Sequence, residues 1–179
     1  MTCMGTPVTS DTIVRSLDFE LLFKRVLRRN RIPFTDVHVP VEFATMMAIV
    51  GIKPIYANVA TQVGNVFAGA QLGAYKIIVV EDDVDVFNLA EVLHALASKC
   101  HPTRGIRLFD RVIDPSPLNP FLSPEERKWQ VGAKAVFDCT WPVEWPKESA
   151  VPPRTSFKES YPKEVKEKVI KNWANYGFR

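Results

Sequence analysis

Ten of the fourteen prolines fall between Pro102 and Pro162. Proline has no backbone N–H and a fixed φ, so it is excluded from helix interiors and central strands. The distribution therefore divides the chain. Regular layered structure is expected before about Cys100. Beyond it, one strand is predicted, Ala135-Val136-Phe137-Asp138-Cys139-Thr140, within an extended arm lying over a surface.

Before the prolines the periodicities alternate. Thr9-Ser10-Asp11 reads as a helix start, with a capping hydroxyl and an acid in the first turn. Ile13, Val14, Leu17, Leu21, Leu22 and Val26 then recur at helical spacing. Lys24, Arg25, Arg28 and Arg29 sit where the helix dipole favours cations, and Asn30 and Pro33 end the helix. Phe34 to Val39 alternates as a strand, and Met46 to Ile52 is a continuous apolar run of the kind found in buried strands. Asn58 to Leu72 reads as a helix with Gly73 as its C-cap. Lys76 to Val80 is the clearest strand, and Asn88 to Lys99 a helix with Leu89, Val92, Leu93 and Leu96 inward. Helix, strand, strand, helix, strand, helix predicts an α/β fold, a largely parallel sheet flanked by helices. The proline-rich arm and a C-terminal amphipathic helix follow. In that helix Pro162 occupies the first turn, Val165, Val169, Ile170, Trp173 and Tyr176 form an apolar stripe, and Gly177 supplies the stop. The expected division is 1–141 for the α/β domain and 142–179 for the arm and helix.

Composition removes several classes. With 46% hydrophobic residues and a net charge of +3 over 179 residues, the chain is not generally disordered. No apolar run approaches a membrane span, and the first 20 residues carry Asp11, Arg15, Asp18 and Glu20 rather than a secretory apolar segment. Residues 147–179 hold eight Lys/Arg and four Glu, a local +4, whereas the first 146 hold 15 basic and 16 acidic residues, −1. A mixed-sign helix of +4 is too weak a basic face to predict nucleic-acid binding. Three widely spaced cysteines, Cys3, Cys100 and Cys139, fit a reducing, cytoplasmic setting better than a zinc site.

The residues that could carry chemistry are few. Glu81, Asp82, Asp83 and Asp85 follow a buried strand, at the edge where open α/β sheets bind ligands. Oxygen-rich runs suit Mg²⁺ or Ca²⁺, but the spacing is not a calcium loop, and the competing reading has Asp85 capping the next helix with the others solvated. His38, His94 and His101 form no close pair. Gly64, Gly69 and Gly73 make neither a dinucleotide fingerprint nor a phosphate loop. No self-contained active site emerges from the residues themselves.

A resemblance adds to this. Lys76-Ile77-Ile78-Val79-Val80-Glu81-Asp82-Asp83-Val84-Asp85-Val86, then Glu91 to Pro102, resembles a strand, acidic turn and helix of the C-terminal domain of UbiD-type decarboxylases, the prenylated-FMN-dependent carboxy-lyases. His94 stands where the family often has Trp. Ser116-Pro117-Leu118-Asn119-Pro120 resembles the family's PL-x-P segment. Tyr161-Pro162-Lys163-Glu164-Val165 and Asn172-Trp173-Ala174-Asn175-Tyr176-Gly177-Phe178 resemble its closing helix, nearest the ferulate/phenylacrylate decarboxylase branch. These segments occur in family order over nearly the whole chain.

The resemblance implies an enzyme component. Prenylated FMN, with a divalent metal and K⁺, would bind a flavin-holding N-terminal domain or subunit, and none of the catalytic residues map to this chain. Ser10, Val14, Ser116 and Leu118 match substrate-pocket positions. Gln71 matches a lysine near the cofactor phosphate, and an amide there cannot neutralise phosphate. Val14 and Leu118 would also suit any α/β core, and Ser10 a helix cap. The closing helix implies a homodimer or higher oligomer. By itself the chain is expected to be inactive and to bind no cofactor tightly. Two other readings are an assembly module left from such an enzyme, and a small-molecule binder using the Asp82–Asp85 edge.

Overall fold

In the computed structural model, residues 9–70, 72–114, 119–146, 148–152 and 157–177 are described. They form two compact units, Met1–Glu144 and Trp145–Arg179.

The first unit opens with α1, Ser10–Arg29. Its cap is Thr9, whose Oγ1 accepts from Thr12 N at 3.3 Å, so Ser10 is the first helical residue and not the cap. Asn30 ends it as expected. β1 (Phe34–His38) and β2 (Met47–Ile52) follow, joined through a 3₁₀ turn at Val41–Phe43. Next come α2 (Val59–Gly69), β3 (Lys76–Glu81) and α3 (Leu89–Lys99). The α/β series then continues into the proline-rich region with β4 (Ile106–Ile113), α4 (Pro124–Trp129) and β5 (Val131–Cys139).

The sheet order is β1-β2-β3-β5-β4. β2, β3 and β5 run parallel, while β1 pairs antiparallel with β2 and β4 antiparallel with β5. The sheet is thus mixed, with a parallel centre and two antiparallel edges. The expectation of a single strand beyond Cys100 is corrected: β4 and β5 fit because every described proline there falls in a connection or at a helix start. Pro124 is the first residue of α4, where Ser123 and Glu126 close a capping box and the missing N–H costs nothing.

Helices cover both faces. On one, Phe23, Leu27, Val50, Val63, Phe67, Ile77 and Val136 make a buried cluster, with Phe23 and Phe67 edge to face at 4.6 Å. On the other, Ile49, Ile78, Val80, Val84, Val86, Val92 and Ala95 do the same. The buried residues of α1 are Ser16, Phe23 and Leu27. The stripe of Ile13, Val14, Leu17, Leu21 and Leu22 is exposed, and Val14 keeps 57% of its surface, so it is no core residue. Leu93 is likewise outward, and Val92 and Ala95 take the inward positions on α3.

Two terminal assignments change. α2 stops at Gly69 with Ala70 as its cap, not Gly73. Gly73 instead lies against Phe19, whose ring a Cβ would meet at 2.9 Å. α3 is capped by Asn88, whose Oδ1 accepts from Ala90 N and Glu91 N, not by Asp85.

The second unit contains a one-turn helix, α5 (Phe157–Ser160), then α6 (Lys163–Lys171). A 3₁₀ turn, Trp173–Tyr176, succeeds α6, and Gly177 ends it at φ 81°. Val165, Ile170, Trp173 and Tyr176 are exposed.

Candidate functional site

The parallel strands give the sheet two chemically distinct ends. At the carboxyl end, β3 delivers Glu81 and the last turn of α3 delivers Lys99. Lys99 Nζ donates to Glu81 Oε2 at 2.7 Å and to Asp83 Oδ1 at 3.2 Å. Trp141 N donates to Glu81 Oε1 at 3.2 Å, and the Lys99 ammonium lies 5.8 Å from the Trp141 ring centre. Asp85 Oδ1 accepts from Phe87 N at 3.0 Å. The acidic run is therefore engaged in neutralising a lysine and shaping a turn. Among the described residues no group of His, Cys, Asp and Glu side chains is arranged to hold a metal ion.

Two thiols share this end. Cys100 Sγ donates to Gly105 O at 3.7 Å and Cys139 Sγ to Phe137 O at 3.6 Å, and burial pushes both thiols above the ordinary range, Cys139 much further. A neutral, enclosed thiol is a poor nucleophile. Two of the histidines are structural as well. His38 Nδ1 meets Glu20 Oε1 at 2.7 Å, and the same oxygen accepts from Val39 N at 2.9 Å, tying α1 to the edge of β1. His101 Nδ1 accepts from Thr103 N at 3.2 Å, closing a turn.

The amino end is built differently. α2 ends there with carbonyls that have no partner inside the helix. Lys134, from β5, reaches beneath it and donates to Phe67 O at 2.6 Å, Ala70 O at 2.9 Å and Leu72 O at 3.1 Å. It is 2% exposed. Burial lowers its pKa from 10.5 to about 8, with the Asp114 charge opposing the shift. Asp114, also 2% exposed, accepts from Tyr75 Oη at 2.7 Å and from Asn119 Nδ2 at 2.8 Å. Asn119 is fully buried, and its Oδ1 has no hydrogen-bond partner among the described residues. Gly132 leaves the space Asp114 needs: a Cβ there would lie 2.9 Å from both its Cβ and its Oδ2.

Of the positions singled out in the sequence, Ser10 and Val14 stand in the first two turns of α1, both exposed. Gln71, Ser116 and Leu118 lie outside the described residues. Their chain neighbours are described. Gln71 is bracketed by Ala70 and Leu72, two of the residues held by Lys134. Ser116 and Leu118 are bracketed by Asp114 and Asn119. Both brackets therefore belong to one buried cluster.

A family profile described as the 3-octaprenyl-4-hydroxybenzoate carboxy-lyase C-terminal domain matches residues 18–139. The chain belongs to the UbiD family. The matched span holds the whole sheet and the amino-end cluster, while Ser10 and Val14 precede it. Ferulic acid decarboxylase 1 of Saccharomyces cerevisiae is 30% identical over 167 residues, 87% of this chain and 33% of the relative. Pyrrole-2-carboxylic acid decarboxylase of Pseudomonas aeruginosa is 29% identical over 124 residues, 68% of this chain and 25% of the relative. The UbiD-type domain described here thus spans a third or less of the length of these relatives. Solved structures share its fold. Vanillic acid decarboxylase of Sedimentibacter hydroxybenzoicus in its closed form gives a TM-score of 0.72 at 21% identity, covering 91% of this chain and 33% of that one. The UbiD-class enzyme HmfF of Pelotomaculum thermopropionicum, in complex with FMN, gives 0.71 at 19% identity, covering 82% and 32%.

Sequence reasoning did not find Lys134, Asp114 or Asn119. Lys134 sits between Ala133 and Ala135 in an apolar strand, and a lysine there was the one available signal. Its partners are 62 to 67 residues away, beyond any local pattern.

Proposed function

We propose that this UbiD-type domain is the C-terminal part of a non-oxidative carboxy-lyase that releases CO2 from an aromatic or α,β-unsaturated carboxylic acid. The observation that carries this reading is the open apolar face of α1. Val14, Leu17 and Leu21 are large side chains left outside the domain's own core, and exposed apolar stripes of this kind mark contact with another surface. In a UbiD enzyme that surface is a flavin-binding N-terminal domain or subunit. Val14 and Ser10, with Ser116 and Leu118, then line one wall of the substrate pocket, and residue 71 stands toward the cofactor.

Prenylated FMN, with its divalent metal and K⁺, would supply the electron sink for decarboxylation. The described residues do not fit that group by themselves. The acidic run is paired with Lys99, and the Lys134 donors are all directed at backbone carbonyls. This chain's share is to exclude water and hold the acid. Apolar positions such as Val14 and Leu118 would set substrate choice by shape. Residues 1–141 carry this role. Residues 142–179 provide the arm and helix through which copies pair as a homodimer or higher oligomer, in the cytoplasm. No helix among the described residues is long and apolar enough to cross a membrane.

The test is reconstitution. The chain is mixed with the flavin-binding part of a UbiD decarboxylase loaded with prenylated FMN, and CO2 release from cinnamic-type and aromatic acids is followed. CO2 is expected from the mixture and not from either component. Val14→Asp should abolish the gain while leaving the chain folded. CO2 release by the chain alone, or a gain indifferent to Val14→Asp, would contradict the reading.

A further inference from the structure

The polar cluster at the amino end is more extensive than the capping of one helix requires. We infer that Lys134, Asp114 and Tyr75 form a closed positioning circuit that couples the C-terminal turn of α2 to the buried pair Asp114 and Asn119. The circuit can be followed bond by bond. Lys134 Nζ holds Leu72 O at 3.1 Å. Three residues on, Tyr75 O accepts from Ala135 N at 2.8 Å, and Tyr75 Oη donates to Asp114 Oδ1 at 2.7 Å. Asp114 Oδ2 accepts from Asn119 Nδ2 at 2.8 Å, and Asp114 N donates to Gln130 O at 2.8 Å. Asp114 packs on Gly132, which lies two residues from Lys134 and so on the same face of β5. The loop closes through β5.

Burial makes this a coupling rather than a set of independent caps. Tyr75, Asp114, Asn119 and Lys134 are all within 3% of full burial. A bond broken in that setting is not replaced by water, so the remaining members must rearrange with it. Lys134 meets one facing charge in the cluster, Asp114, which carries the electrostatic link between the two parts. The residues held in this way flank Gln71 in sequence on one side, and Ser116 and Leu118 on the other. The consequence for the enzyme rests on the proposed function: the circuit sets how the two parts of the pocket wall stand, and with it which acid fits. The coupling itself does not rest on that reading.

Hydrogen exchange read by mass spectrometry on the full chain separates the two. Asp114→Asn and Tyr75→Phe are expected to speed exchange at the end of α2, and Lys134→Met to speed it around Asp114 and Asn119, each by about tenfold. Exchange in α1 and α3 should stay unchanged. Tyr75→Phe combined with Lys134→Met should give less than the product of the single effects. Substitutions that each loosen only their own part, or effects that multiply, would overturn the circuit. Should Lys134→Met fail to fold, Tyr75→Phe decides alone, since it removes one hydroxyl. In the reconstituted decarboxylase, the same variants should change the ratio of kcat/KM between two acids. An unchanged ratio alongside coupled exchange would overturn the pocket role and leave the circuit standing.

Discussion

Each end of the parallel strands meets a lysine at the C-terminus of a helix, and the two lysines are used in opposite ways. Lys99 closes α3 at the carboxyl end, where its charge is matched by Glu81 and Asp83 and its side chain keeps 11% of its surface. Lys134 closes α2 at the amino end, where its donors go to three carbonyls and it is sealed from water. The first is an ion pair at a rim. The second is a buried cation held by helix-end dipoles, with one acid nearby. The carboxyl edge is where α/β sheets usually bind ligands, and here it is neutralised internally. At the amino end the residues joined by the buried polar cluster, Ala70, Leu72, Asp114 and Asn119, flank in sequence three of the positions that the family resemblance implies, Gln71, Ser116 and Leu118. In this domain the carboxyl edge is neutralised within the chain, and the buried polarity is concentrated at the opposite end.

The contrast makes graded predictions. The largest effect is expected from Asp114→Ala, which strands Tyr75 Oη, Asn119 Nδ2 and the Lys134 charge together. Urea unfolding should show a loss of about 3–4 kcal/mol. Next is the pH response of stability. Lys134 holds its proton less tightly in the folded chain than in the unfolded one. Between about 8 and 10.5 the unfolded state therefore binds more protons, and stability rises with pH through that window. The rise is at most about 3 kcal/mol, and Lys134→Met should remove it. Equal pH slopes for wild type and Lys134→Met would break the account of the amino end. Gly132→Ala, which drives a Cβ against Asp114, should cost about 2 kcal/mol and lower the melting temperature. The smallest effect belongs to the rim. Lys99→Met should cost about 1 kcal/mol, shrinking as salt is raised, whereas variants of the amino end should be nearly indifferent to salt.

The two ends also show what could be read from the sequence. Local signals carried well: Thr9 and Asn30 bound α1, and the apolar runs of β2 and β3 stand at the sheet centre as their continuous hydrophobicity required. Lys99 was visible as a last-turn cation, because its helix is its own neighbour in sequence. Lys134 was not, because the helix it caps ends more than 60 residues earlier. The strand expected at Ala135–Thr140 is β5, whereas β4 was hidden, because the number of prolines is plain in the sequence and their placement in connections is not. The stripe of α1 marks another limit of local pattern. Helical periodicity finds an apolar face without saying what covers it, and Ser16, Phe23 and Leu27 turned out to be the buried side.

The most direct test of the central claim is the native mass of the protein recovered from its source cells, with the flavin content of the particle and its polypeptides identified. The account predicts a particle in which this domain is joined to a flavin-binding polypeptide, in one chain or in a stable complex, carrying prenylated FMN. A flavin-free 20.3 kDa chain, or its homodimer, would contradict it.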